Sequence, residues 1–373
     1  MVELLAEVTR TGLVESRHYG HVAVCNGKGE ILACAGDPEM VTFIRSACKP
    51  VQALNLFVSG AADKFDFTDK ELAIMCSSHY GEPIHQEVIL GLLDKIGCTL
   101  DDLETGCPYS IRPAYYEKQL REKIVMKPYN SDCSGKHCGF LAGCIAAGYP
   151  TKGYSEPEHP LQKDVLKIVS EVFGVEEQKI GIGTDGCGVP VHAMPLKNMA
   201  MAYARFTSPE RRISEDVKVI DGDASMPDVK ISDEGGMSSD VNLSDADGLP
   251  EKYREGAKKL FDAINAEPDM IAGPGGFCTE LVRTCGGRLI GKIGAEAVYC
   301  VGFKDRDLGI AVKIDDGNML RVIPPVVISV LDQLDLLSET EKHALKDFAS
   351  IKVINDHGNV VGEVKPVVDL KFL

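Results

Sequence analysis

Nowhere in this 373-residue chain is there an apolar run of about 18 residues, the length that a membrane-crossing helix needs. Positive charge is not in excess either, since the formal net charge is −16. That disfavours nucleic acid or an anionic membrane as a partner, because both demand cationic neutralisation. The opening residues Met1-Val-Glu-Leu-Leu-Ala-Glu place acids where a secretory signal carries basic residues and then an apolar core, so a cytoplasmic location is expected. No Cys-x-x-Cys pair occurs among the thirteen cysteines, which excludes zinc-finger spacing. Most of these cysteines are expected to be reduced and buried. There is no internal repeat. What remains is an ordinary globular composition, 44% hydrophobic and 26% charged, with length enough for a large core and a charge that fits small-molecule work.

The patterning predicts strands near both chain ends. Two short apolar runs at 21–25 and 30–34 flank Asn26-Gly-Lys-Gly, a strong hairpin signal. Strands are expected again near 297–303, 308–314, 351–354 and 360–364. Helices are expected between them, at 46–58, 84–96, 160–173, 191–206, 249–266 and 277–284, with one more at 326–336. The small residues at 138, 139, 142 and 143 predict a helix packed closely on a neighbour. The expected fold is therefore α+β, an antiparallel sheet built from both chain ends around a mostly helical insertion. One catalytic unit over 1–373 is expected, with an Asp-, Ser- and Gly-rich excursion at about 214–250. Part of that excursion echoes a calcium loop, but Asp245 stands where such a loop needs glycine.

Chemistry concentrates in a few segments. Phe43-Ile-Arg-Ser-Ala-Cys-Lys-Pro50 places Ser46 and Lys49 three apart at a helix start, because proline is tolerated only in the first turn. A serine hydroxyl needs an adjacent base to become nucleophilic, and a lysine serves only when desolvation or nearby positive charge keeps it neutral. The bland reading is a helix cap followed by a solvated lysine. Ser78 lies in Cys76-Ser-Ser-His-Tyr-Gly-Glu82, and Lys292 in a late Lys-Ile-Gly run. Ser-x-x-Lys, a serine-bearing turn and then Lys-x-Gly is the sequence order of the serine β-lactamases and penicillin-binding proteins. Cys133, Lys136, His137 and Cys187 lie on glycine-rich turns; spacing alone makes the two cysteines better candidates for buried structural residues than for metal ligands.

Together, Arg45-Ser-Ala-Cys-Lys-Pro50, Ser78-His-Tyr-Gly-Glu82, Cys133-Ser-Gly-Lys-His137, Asp185-Gly-Cys187 and Lys292-Ile-Gly-Ala-Glu296 resemble the asparaginase II family, the Rhizobium-type L-asparaginases. Thr9-Arg-Thr-Gly-Leu-Val-Glu-Ser-Arg-His18 belongs to the same pattern. The resemblance implies a serine β-lactamase-like fold, a homodimer, and hydrolysis of L-asparagine to aspartate and ammonia. It implies two serine–lysine pairs, Ser46 with Lys49 as nucleophile and base, and Ser78 with Lys292. It also implies zinc at Cys133, Lys136 and Cys187, shaping the pocket rather than activating water. Asp185, His137 and Glu82 are the candidate substrate contacts. One departure is Asp132, which stands where the pattern has asparagine. The alternatives are another serine–lysine amidohydrolase, acting on glutamine, a peptide or a β-lactam, and a non-catalytic zinc-binding protein of the same fold.

Overall fold

The N-terminal strand Glu3–Arg10 (β1) turns at Thr11 and Gly12, both in the left-handed region, and runs back as the thirteen-residue strand Leu13–Cys25 (β2). Asn26 closes the next turn by accepting the amide protons of Lys28 and Glu30 on its side-chain oxygen, and Ile31–Ala35 (β3) follows. The predicted hairpin is therefore present, and β2 begins well before it. After the short strand Val41–Phe43 (β4) the chain enters its helical half. Gly181–Thr184 (β5) and Pro190–Pro195 (β6) pair with β4 in a separate three-stranded sheet, β4-β6-β5. Leu289–Gly294 (β7), Val298–Phe303 (β8) and Leu308–Ile314 (β9) rejoin the main sheet. Ile351–Ile354 (β10), Val360–Pro366 (β11) and Lys371–Phe372 (β12) complete it.

The main sheet has nine strands in the order β10-β11-β1-β2-β9-β8-β7, with β3 pairing both β2 and β12. All its pairings are antiparallel. The first three strands and the last six thus form one sheet around the intervening helices, as the patterning predicted. The fold is an α+β arrangement, an antiparallel sheet built from both chain ends around the helices between them. The computed structural model describes residues 1–210, 248–304 and 306–373; the expected excursion at 214–250 and its calcium echo lie almost wholly outside them. Among the described residues no helix is long and apolar enough to cross a membrane.

Two local expectations differ from what is found. Residues 190–195 form β6 and only then the helix Leu196–Thr207, because a short, fully buried apolar run has no periodicity that separates strand from helix. The helix expected at 46–58 is broken into a 3₁₀ turn, Arg45–Cys48, and two single α-turns, Lys49–Gln52 and Asn55–Val58. Residues three apart eclipse one another in 3₁₀ geometry, so Ser46 and Lys49 still project from one side of this turn.

Close approach positions the helices. A Cβ on Gly135 would lie 2.0 Å from the Ile74 carbonyl oxygen, and one on Gly139 3.1 Å from the Met75 sulfur. The helix Ser134–Ala147 therefore lies almost backbone-to-backbone on the helix Asp69–Met75. On the far side Gly294 of β7 abuts the Arg45–Cys48 turn, where a Cβ would meet the Ile44 carbonyl at 2.6 Å. Gly135→Ala is expected to destabilise the fold by roughly 1–3 kcal/mol, the usual range for overpacking a tight core. Urea unfolding measures it, and an unchanged midpoint would contradict this packing.

Candidate active site

Four segments converge because of that packing. The Arg45–Cys48 turn and the α-turn that follows it bring Ser46 and Lys49, and the residues after the helix Asp69–Met75 bring Ser77 and Ser78. The start of the helix Ser134–Ala147 brings Asp132, Cys133 and Lys136, while β7 brings Lys292. Lys49 and Lys292 are each only 1% exposed, so their ammonium or amine groups must find partners inside the protein.

They find the same one. Lys49 Nζ donates to the Ser77 carbonyl at 2.6 Å and contacts Ser78 Oγ at 3.0 Å and the Asp132 carbonyl at 3.4 Å. Lys292 Nζ lies 2.8 Å from the same Ser78 Oγ and donates to its neighbour's carbonyl, Ile293 O, at 2.9 Å. Proton counting then assigns the charges. Three acceptors around Lys49 match the three protons of an ammonium. Ser78 Oγ, with two lone pairs, lies within reach of both amines, and the only other acceptor at Lys292 is the Ile293 carbonyl. Lys292, with two acceptors against three, is thus the lysine that gives up its proton more readily, and Lys49 the one that keeps it.

The electrostatics agree. Burial, and next the repulsion from Lys49, lower the Lys292 pKa to about 8. Burial also works against charge on Lys49, but the negative surroundings outweigh it and its pKa is raised. Cys133 stays a thiol, so the Asp132 carboxylate, 3.7 Å from Lys49 Nζ, is the charge that matters. Ser46 is half-buried, and among the described residues its Oγ has no hydrogen-bond partner. The expected Ser46–Lys49 contact is therefore not formed; Lys49 is committed to Ser78.

The second cluster adjoins the first. Ligand atoms of Cys133, Asp185 and Cys187 all lie within 4.8 Å of one another, and Lys136 Nζ is 3.0 Å from Cys187 Sγ. A hydrogen bond from Cys133, and then the Lys136 charge, hold Cys187 far below an ordinary thiol pKa. Burial opposes charge on Lys136, and the Cys187 thiolate more than offsets it. Two sulfurs with a carboxylate and an amine at hand are a donor set that suits zinc, once Lys136 gives up its proton. The structure thus brings Cys133, Lys136 and Cys187 together as the resemblance implied, and adds Asp185 to the group.

The three candidate substrate contacts are placed differently. Asp185 is tied by Oδ1 to Arg45 Nε at 2.9 Å. His137 is fully buried behind the cysteines. Glu82 caps the helix Pro83–Ile96 and pairs with Arg112 at 2.8 Å, so its carboxylate is engaged away from the two lysines. Residues that sequence reasoning passed over include Arg45, held at φ 53° beside Ser46, and Tyr203, whose buried hydroxyl donates to the Ala47 carbonyl at 2.7 Å. That bond spans 156 residues and belongs to no motif. Asp132 was visible only as a departure from the pattern; its proximity to Lys49 gives the departure a consequence.

A family model described as L-asparaginase II matches residues 6–366. No curated protein matches the chain. Among solved structures, a candidate beta-lactamase from Bacteroides dorei DSM 17855 shares 12% identity, with 85% of this chain and 93% of that one covered, at a TM-score of 0.39. At that distance the likeness adds nothing to the topology described above. The charge assignment is open to direct measurement. In isotope-edited NMR one lysine should titrate near pH 8 and its signal should vanish in Lys292→Met. In Lys49→Met its midpoint should move up, since a repelling charge is gone; a midpoint that stays or falls contradicts the assignment.

Proposed function

This chain belongs to the L-asparaginase II family, and on that footing we propose that it hydrolyses L-asparagine to L-aspartate and ammonia through a serine acyl-enzyme. The observation that carries the reading is the Lys49–Ser78–Lys292 bridge, a buried serine held between two buried lysines. Ser46 is the nucleophile, because it is the more exposed serine and its Oγ is not engaged. On attack its proton passes by way of Ser78 to Lys292, which acts as the base in its neutral form. Lys49 keeps its proton and stabilises the negative charge that develops at the attacked carbonyl. Returned through the same bridge, the proton leaves with ammonia, and water then attacks the acyl-enzyme with Lys292 again as base. This reading moves the base from Lys49 to Lys292 and joins the two lysines through Ser78 in place of two separate serine–lysine pairs.

Asparagine is a zwitterion at its α-carbon. The Arg45–Asp185 pair supplies both complements at the edge of the site, the guanidinium for the carboxylate and Asp185 for the ammonium. We further propose that Cys133, Lys136 and Cys187 hold a zinc ion, with Asp185 alongside. When bound, the ion supplies a fixed positive charge that braces the pocket wall; the nucleophile comes from serine. His137 and Glu82 act by shaping the site, given the burial of one and the Arg112 pairing of the other. A homodimer is part of the same proposal through the family.

Four kinds of measurement test this. Ser46→Ala should abolish the mass increment of an acyl adduct and lower ammonia release from asparagine by at least about 100-fold, whereas an adduct retained on Ser78 would reverse the two serines. Since catalysis needs neutral Lys292, and folding lowers its pKa to about 8, kcat/KM should rise with pH through about 8 and then level off. Lys292→Met should cost roughly 10²–10⁴-fold, the usual worth of a general base, and remove that rise. A strong chelator should release about one zinc per chain and lower activity, which added zinc restores. Initial rates on asparagine, glutamine and nitrocefin set the substrate class.

A further inference from the structure

His137 belongs to the buried wall behind the cysteines, and its hydrogen bonds determine where its proton sits. Its Nδ1 lies 2.8 Å from the Tyr154 hydroxyl. That hydroxyl already accepts the Glu104 amide proton at 2.8 Å, and Tyr154 is wholly buried. Among the described residues the tyrosine's own proton has one acceptor, His137 Nδ1. At the other end of the ring Nε2 is buried without a well-formed hydrogen bond, and the imidazole interacts with the Cys187 side chain. With the proton on Nε2 every group is served: the amide donates to the hydroxyl, the hydroxyl to Nδ1, and Nε2–H to sulfur. With the proton on Nδ1, the hydroxyl proton is stranded and the Nε2 lone pair confronts sulfur lone pairs.

Tyr154 is itself held firmly. The Glu104 carboxylate accepts the Gly153 amide at 2.6 Å, the Ser155 amide at 3.1 Å and the Ser155 hydroxyl at 2.7 Å, clamping the residues on either side of it. The Tyr154 backbone carbonyl accepts from Gln162 Nε2 at 2.7 Å. A hydrogen bond to a metal-binding residue from a group behind it orients that residue and tunes its donor strength.

We propose that Tyr154 is a positioning residue which locks His137 as the Nε2–H tautomer, so that the imidazole donates to Cys187 alongside Lys136, whose Nζ lies 3.0 Å from the same sulfur. The role in metal retention rests on the zinc reading above; the tautomer lock does not. In metal-free protein labelled with ¹⁵N-histidine, long-range proton–nitrogen correlation should show His137 with an unprotonated Nδ1. Tyr154→Phe should shift it toward the other tautomer or a mixture. A wild-type Nδ1–H signal, or no change in Tyr154→Phe, would overturn the proposal. Cobalt(II) affinity, read from its thiolate charge-transfer band under chelator competition, provides the second arm. His137→Gln places an amide donor where Nε2–H was and should bind cobalt(II) much as the wild type does. His137→Asn, with its amide at the Nδ1 end, and Tyr154→Phe should each bind about 10–100-fold more weakly. Equal affinities across all three variants, or the reverse order of the two histidine variants, would refute the donation to sulfur. If the wild type takes up no cobalt(II), the zinc reading fails and the NMR arm alone decides the lock.

Discussion

Two lysines buried against one serine hydroxyl cannot both carry charge without a large penalty, and the architecture around Ser78 resolves that conflict. Lys49 is given carbonyls at Ser77 and Asp132 and a carboxylate nearby. Lys292 is given one carbonyl and the repulsion of its partner. In the proposed mechanism that asymmetry makes Lys49 the electrostatic anchor and Lys292 the base, and sets the direction of proton flow through Ser78. The chemistry proposed for the chain depends on that difference being maintained.

Maintaining it is the work of the sheet and of three glycines. β7 delivers Lys292 only because the C-terminal half of the chain returns to the sheet started by the N-terminal half. Gly294 lets β7 reach the Arg45–Cys48 turn, and Gly135 and Gly139 let the helix bearing Lys136 sink onto the helix that ends near Ser77. At Gly135 and Gly294 the neighbour is a backbone carbonyl oxygen, so there an error in placement cannot be absorbed by side-chain flexing.

The cysteine cluster and the lysine bridge form one electrostatic unit. Asp132 touches both: its carboxylate is 3.7 Å from Lys49 Nζ and 3.5 Å from Cys133 Sγ. Arg45, next to Ser46, is bound to Asp185, whose other oxygen is 4.0 Å from Lys136 Nζ. A change of charge at the sulfurs is thereby felt at the serine turn through two separate carboxylates.

Much was legible in the sequence by itself. The hairpin at Asn26, the amphipathic helix at 160–173 and the gathering of strands at both ends follow from local turn chemistry and periodicity, which need no tertiary context. Ser46, Ser78, Lys292, Cys133, Lys136 and Cys187 could be singled out because each sits in a short motif of glycine and small residues. What the sequence could not convey is partnership. Ser46-x-x-Lys49 reads as a pair because the two are near in sequence, yet the Lys49 amine turns to Ser78, 29 residues away, and meets Lys292, a further 214 residues on. Which lysine keeps its proton, what Asp132 does, and how Tyr154 and Tyr203 hold the site are decided only by long-range packing. Burial and the count of acceptors around a nitrogen are properties of the folded surroundings, and no spacing along the chain encodes them.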